Sequence, residues 1–508
     1  GFGFSVSGAG DVNGDGFGDV IIGADSYTHG ENSEGGAFLF RGISSGLSIS
    51  PSWTAESDQQ DAGFGESVSS AGDVNNDGFS DIIIGAPGYD NGESNEGRAF
   101  VYFGSEKGIS VSSPWSAEGD QKDARFGESV SSAGDVNNDG FDDIIIGAPG
   151  YDNGEKDEGR AFVFLGGASG PTTGTADWTA ESDQPNAHFG GSASSAGDVN
   201  NDGFDDVIAG AADYDNGQSG EGMAFVYLGG PSGLKEGNAD WTAESNQAQA
   251  GFGYSVSTTG DVNGDNFCDV IIGAPYYNNG EESEGRAFVY HGSETGLPST
   301  PEWSAEIDKA ESAFGFCVST AGDVNGDNFS DVIIGAKFFS HNQTSEGAAF
   351  VYHGSEDGLT SGAINWSEQS NQAGAGFGHS VSNAGDVNND GFSDVLVGAP
   401  DYNDGEPGEG RAYLYLGSSS GLSASPNWTA ESNQPGAGFG SSVSGAGDVT
   451  GNGYSAVIIG SNMYDATVTT GNSKEVKDKN FDANQGRAFL YYSIREPEPS
   501  PSASWYIY

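Results

Sequence analysis

Asp73-Val74-Asn75-Asn76-Asp77-Gly78-Phe79-Ser80-Asp81 is a nine-residue stretch that returns, almost letter for letter, along the whole chain. Its first aspartate recurs at Asp11, Asp73, Asp135, Asp198, Asp261, Asp323, Asp386 and Asp448, each 62 or 63 residues after the one before. A fixed period of this size is the signature of a propeller, solenoid or array, so fold and function are both read per repeat. The 508 residues are eight copies of one unit, which overrides the several domains that length alone would suggest.

The stretch has the chemistry of a hard-cation loop. Alternate positions offer oxygen side chains, the glycine permits a sharp turn, the carbonyl of the following phenylalanine faces inward, and a last aspartate closes the cage with one or both oxygens. Oxygen ligands on a flexible loop suit calcium, whereas nitrogen or sulfur ligands suit zinc or copper. Besides the first aspartates, the candidate ligands of the first seven copies are Asn13, Asn75, Asn137, Asn200, Asn263, Asn325 and Asn388 at the third position and Asp15, Asp77, Asp139, Asp202, Asp265, Asp327 and Asp390 at the fifth. The carbonyls of Phe17, Phe79, Phe141, Phe204, Phe267, Phe329 and Phe392 stand at the seventh, and Asp19, Asp81, Asp143, Asp206, Asp269, Asp331 and Asp394 close the loop. The opening is like that of an EF-hand, but the twelfth position is Ile84 rather than glutamate and the flanks read as strands. A solvated Asx turn is the alternative for any one copy; seven copies that keep the oxygens while their neighbours drift favour metal. The eighth copy, Asp448 to Ala456, has Thr450, Asn452 and Ala456 at ligand positions, so about seven calcium sites are expected and the eighth loop is degenerate.

Outward from the loop, each repeat has one grammar. In the second copy, Phe64 to Ser70 reads as a short strand of small residues, and Ile82 to Ala86 as an apolar run without alternation, as expected of a strand covered on both faces. A polar turn with Asn91-Gly92 follows, then a third strand at Arg98 to Tyr102 and a fourth at Trp115 to Glu118. Four short antiparallel strands per repeat, eight times over, describe an all-β, eight-bladed propeller. The fourth-strand tryptophans run from Trp53 to Trp505, each fifteen or sixteen residues after the third-strand aromatic. The whole of 1–508 therefore reads as one domain, in which a proline-rich connector at 495–502 leads to a closing strand at 503–508 that completes blade eight. Exchange of that strand with another protomer, giving self-association, is the alternative.

Acids outnumber bases 75 to 17, for a net charge of −58, which disfavours nucleic acid and anionic membrane surfaces as partners. No apolar run approaches the ~18 residues of a membrane-spanning helix, so membrane insertion is not expected. Two cysteines, Cys268 and Cys317, make no disulfide framework, and calcium loops of modest affinity point outside the cell. The chain opens at Gly1 without methionine or a leader-like segment, the expectation for a mature or excised region.

Phe64-Gly65, the aspartate-rich loop and Gly85-Ala86-Pro87 together resemble FG-GAP repeats, the units of the β-propeller head of integrin α subunits and of related bacterial and fungal proteins. The resemblance runs over essentially the whole chain and implies both the propeller and calcium in the loops. Integrin propellers have seven blades and carry the loop in only some, so eight copies with seven intact loops look more like the non-integrin members. Alternating strand direction sends the metal loops to one face and the loops between second and third strands to the other, which is also the face where the resemblance to integrins places ligands. On that face Tyr89, Tyr151, Tyr214, Tyr277 and Tyr402 stand beside acids or amides, a combination that holds sugars and peptides. Packing of the blade edge is the competing role for these rings. The recurring Arg98, Arg160, Arg286, Arg411 and Arg487 are expected to pair with carboxylates of the Glu56 and Glu118 class. An insertion at 467–484, carrying Lys474, Lys477 and Lys479, breaks the symmetry of the last repeat.

Three classes of function stay open. The first is a secreted or cell-surface, calcium-dependent adhesion module, lectin-like or protein-binding, with an extracellular glycan or protein ligand on the face opposite the loops. A structural subunit of a surface assembly or filament is the second, and a glycan-active enzyme the third. No catalytic residues recur from repeat to repeat, so a non-enzymatic role is the expectation.

Overall fold

The computed structural model describes residues 1–48, 50–110, 114–360, 362, 364–464, 486–492 and the backbone of 505–507. Eight four-stranded antiparallel sheets follow one another along the chain, and in each the strands lie in sequence order. Blade two is typical: Ser67–Gly72, Asp81–Ala86, Arg98–Tyr102 and Trp115–Glu118. Every residue of every second strand is buried, because neighbouring blades cover both of its faces. First strands of adjacent blades pack side by side around a common axis, and Phe439–Gly447 of blade eight meets Phe2–Gly10 of blade one to close the ring. Serine, alanine and glycine dominate these inner strands because the axis leaves room for little else.

The Phe-Gly pair lies outside the strand that the sequence predicts from Phe64 to Ser70. Phe64 instead forms a lone bridge to Gly35 of the preceding blade, its ring is fully buried, and it meets Phe100 edge-on at 5.2 Å. Gly65 breaks the strand with φ +86°, and a methyl group on it would sit 2.4 Å from the carbonyl oxygen of Gly36. The same contact from the other side explains the glycine of Gly-Ala-Pro: a methyl on Gly85 would lie 1.9 Å from the carbonyl oxygen of Gly127 in the next blade. The two glycines are thus the two halves of one close backbone crossing between neighbours.

Tryptophans tie the rim. Trp115 packs edge-on against Phe164 of the next blade at 4.8 Å, and its indole N–H donates to the carbonyl of Thr172 at 2.8 Å. The last strand, Trp505–Ile507, pairs with Arg487–Tyr491 of its own blade, Trp505 opposite Leu490 as Trp115 is opposite Val101. Within this one chain the closing strand thus completes blade eight. The connector at 495–502 and the insertion at 467–484, with its lysines, lie outside the described residues.

Adding one methyl group distinguishes crossing glycines from turn glycines. Gly65→Ala is expected to cost about 3 kcal/mol or more, because a left-handed backbone and a backbone clash add. Gly374→Ala, with φ +72° but open space around it, should cost only about 1 kcal/mol. Equilibrium denaturation of the two variants checks the difference.

Candidate metal loops and the opposite face

In blade two, the N–H groups of Asp77 and Gly78 donate to the two oxygens of Asp73 at 3.1 and 2.8 Å, Asp77 N–H also to Asn75 Oδ1 at 3.0 Å, and Phe79 N–H to Asp77 Oδ1 at 3.1 Å. These Asx-type bonds coil the loop so that its oxygen side chains share one small turn. Blade eight makes the same coil around Asp448 and Asn452, with Gly453 N–H on Asp448 Oδ2 at 2.6 Å and Tyr454 N–H on Asn452 Oδ1 at 3.0 Å. Loop shape is thus set by the first and fifth residues. The closing residue does something else.

Asp81 is fully buried, and each of its oxygens accepts a backbone N–H, Oδ2 from Val74 at 3.0 Å and Oδ1 from Gly104 at 2.7 Å. From sequence this residue only closes a metal cage, with one or both oxygens; the structure makes it also a clamp from the first loop to the start of the loop between third and fourth strands. Asp19, Asp143, Asp206, Asp269, Asp331 and Asp394 repeat the pair of bonds. In blade eight the position is Ala456, and Val449 N–H turns to the carbonyl of Gly447. The loops are also stitched head to tail: Ser80 N–H donates to the carbonyl of Asp11 at 3.0 Å, Asp142 N–H to Asp73 at 3.1 Å, and so on round the ring to Gly18 N–H on Asp448 at 2.8 Å.

Do these residues fit a divalent cation? Burial pushes the Asp81 carboxyl up to about 7; the two amide donors pull it down, and the charges of Asp77 and Asp73 push it up again. All seven closing aspartates show this pattern, burial first and the charges of the two other loop aspartates last. Among the described residues no three acidic, histidine or cysteine groups already stand as a metal-holding cluster. The donor set is nonetheless that of a hard cation: three carboxylates, an amide oxygen and a main-chain carbonyl, each oxygen that accepts one N–H keeping a second lone pair.

On the opposite face the predicted tyrosines are half-buried. Tyr89 lies edge-on to Phe100 at 6.1 Å, with the Arg98 guanidinium 5.2 Å from its ring centre. Tyr151, Tyr214, Tyr277 and Tyr402 make the same edge contact to Phe162, Phe225, Phe288 and Tyr413. The arginines pair as expected, Arg98 with Glu118 at 3.9 Å, Arg160 with Glu181 at 3.6 Å, Arg286 with Glu306 at 3.3 Å and Arg411 with Glu431.

Two sets of residues escaped the sequence reading. Glu34, Glu96, Glu158, Glu221, Glu284, Glu346 and Glu409 are at most 1% exposed. They cap the turns that carry the tyrosines, or Phe339 in blade six, where Glu346 Oε1 accepts from His341 and Asn342 N–H at 2.8 Å. The recurring Glu-Gly ahead of the third strand was the available signal. The second set is nearer the axis: Tyr254, Tyr276 and Phe338 are about 40% exposed, and Tyr276 had been hidden beside the more regular Tyr277.

Seven segments, residues 2–40, 64–102, 126–164, 189–227, 252–290, 318–352 and 377–415, match the family model described as FG-GAP repeat. They make up more than half of the chain, which belongs to the FG-GAP repeat family and forms an integrin-like β-propeller. Similar proteins include integrin alpha-5 of Xenopus laevis, 31% identical over 43% of this chain and 20% of that protein, and integrin alpha-V of Gallus gallus, 32% identical over 42% and 20%. Phosphatidylinositol-glycan-specific phospholipase D of Bos taurus is 26% identical over 68% of this chain and 45% of its own. The chain thus spans less than half the length of each of these relatives. Among solved structures, a Bacillus licheniformis rhamnogalacturonan lyase aligns at a TM-score of 0.41 with 13% identity, over 81% of this chain and 66% of that one. A likeness of that size carries no functional argument.

Two measurements probe the site without any ligand. Asp81→Ala strips two buried N–H groups of their acceptor and should cost about 2–4 kcal/mol in chelator, against about 1 kcal/mol or less for the exposed Asp77→Ala; equal midpoints in denaturant would remove the clamp. The second concerns His379, whose ring is 5.6 Å from that of Phe316 and whose pKa burial, with Lys337 nearby, pushes down to about 4 from 6.5. The unfolded chain then protonates first, so this residue's share of stability is whole above pH 6.5 and is lost as pH falls toward 4. His379→Phe should flatten the fall in urea midpoint between about pH 7 and pH 5.

Proposed function

We propose that this propeller is a calcium-stabilised, non-enzymatic adhesion module that works outside the cell and holds a glycan or protein ligand on the face opposite the metal loops. The observation that carries the reading is the sevenfold repetition of one oxygen donor set, in which two further aspartates stand close enough to the buried closing aspartate for their charges to act on it. In blade two Asp73, Asn75, Asp77, the carbonyl of Phe79 and Asp81 would hold the ion. Calcium there supplies positive charge that relieves the repulsion and cross-links the two ends of the loop. Loops of this kind bind at the calcium concentrations found outside cells. Membership of the FG-GAP repeat family and the likeness to integrin α chains support adhesion and a cell-surface setting. On the opposite face the repeated arginine, glutamate and tyrosine groups are spent on one another, an arrangement suited to presenting a rigid surface rather than to turnover.

Calcium that binds only the folded chain must raise the melting temperature with concentration. The expected stoichiometry, by metal analysis after dialysis, is about seven ions per chain, falling by one in Asp77→Ala and unchanged by substitution of Asn452. A melting curve that ignores both calcium and chelator refutes the reading.

A further inference from the structure

We propose that the ligand face carries one asymmetric site for a neutral, polyhydroxylated glycan chain, laid over the aromatic side chains of Tyr276, Tyr254, Phe316 and Phe338 on blades five and six. The inference rests on the proposal that ligand binds this face, and it names both the place and the chemistry.

Two positions per blade line the mouth of the ring on this side, the residue after Phe-Gly and the second residue after Gly-Ala. Blades two and three carry Glu66 with Gly88 and Glu128 with Gly150; blades five and six carry Tyr254 with Tyr276 and Phe316 with Phe338. Three of the seven large apolar side chains exposed among the described residues are in this quadrant, where aromatic rings fill both positions of two adjacent blades; Phe4 and Met463 hold such positions singly in blades one and eight. Ring centres follow one another at 6.2 Å from Tyr276 to Tyr254 and 5.4 Å from Tyr254 to Phe316. Lys337 Nζ lies 4.9 Å from the Phe316 ring and 5.2 Å from that of Phe338. Beside Tyr254 and Tyr276 opens a cleft of about 900 Å³ whose other walls include Asp215, Gln249, Asn278 and Ser283.

Charge and shape select the ligand. A polyanion meets a chain of net charge −58 and the acids of the cleft. A cationic segment meets the Lys337 ammonium on the platform itself, and of the cleft's acids Asp213 is bonded to His188 at 2.8 Å and Asp215 accepts the N–H of Gly220, which leaves Glu282 alone to attract it. An open, polar-walled cleft does not enclose a small apolar molecule. What remains is a ligand with apolar C–H faces to lie on aromatic rings and hydroxyl groups to meet amide, carboxylate and serine oxygens, which is a neutral sugar chain.

The test uses the full chain in calcium buffer on an array of neutral oligosaccharides of six or so units (glucans, mannans, xylans and galactans), with heparin and a chitosan oligomer as charged controls. Tyr254→Ser and Phe316→Ser install the residue that blade eight carries at this position, Ser441, and so spare the fold. Retention of a neutral glycan by the parent and its loss by about tenfold or more in the double variant, at unchanged melting temperature, is the expected result. Capture of no neutral glycan, or of heparin or chitosan alone, overturns the inference. Neutral-glycan binding that survives the double variant but fails in Tyr89→Ala with Tyr151→Ala overturns this site while leaving the ligand face in place. Binding that responds only to substitutions among the metal loops overturns both.

Discussion

A carboxylate with no room for water holds this ring together. In seven blades the closing aspartate of the loop is fully buried and receives one N–H from its own loop and one from the loop that begins after the third strand. A buried carboxylate is costly unless it is hydrogen-bonded, and here two main-chain donors meet that cost. The same residue is also the inner wall of the oxygen cage. On the proposed calcium reading, metal ligand and strand-end clamp are one group, so a cation in the loop would act directly on the junction of three strands rather than on a dangling turn.

From that junction the order spreads sideways. Each loop passes a main-chain hydrogen bond to the next, and each Phe-Gly crosses into the second strand of its neighbour at a distance only glycine allows. Every blade thus meets its neighbours through identical contacts, as in other repeat arrays, but closure removes the two frayed ends that an open array would leave. Blade eight departs from the others in two respects: its loop lacks the clamp, and its third strand follows its second only after a longer stretch of sequence. The ring closes through it by Phe2 against Gly486 and Ser442 Oγ on the carbonyl of Gly3, the same crossing made by chain ends instead of neighbours in sequence.

Period made most of this legible. Strand order, blade number, the register of Trp505 and the pairing of Arg98 with Glu118 all follow once one repeat is parsed, because a residue type kept at one place in eight contexts reports a shared environment. Two things did not follow. Asp81 reads as a ligand because ligand chemistry is written in its side chain, whereas its second role depends on an amide 23 positions further on, at Gly104. Tyr276 and Tyr277 are adjacent in sequence, yet Tyr277 packs on Phe288 while Tyr276 stands exposed. Adjacent residues in a turn point apart, and nothing in composition says which one faces the neighbouring blade.

That second failure has a physical lesson about where a ligand site sits in a repeat protein. Contacts that build the ring must be the same eight times, since each blade has to fit the next; hence the uniform loops, glycines and tryptophans. A ligand imposes no such requirement, and an array with identical edges cannot favour one quadrant unless some positions are released from packing. Around the mouth of the ring those released positions carry glutamate, aspartate, glycine, serine, histidine, methionine or aromatic residues in turn, and Tyr254, Tyr276, Phe316 and Phe338 gather on blades five and six, with Phe4 on blade one. A search that ranks residues by regular recurrence finds the scaffold and the metal loops, and it passes over these positions because they do not recur. Departures from the repeat, taken where the structure leaves a side chain exposed, are the better guide to recognition.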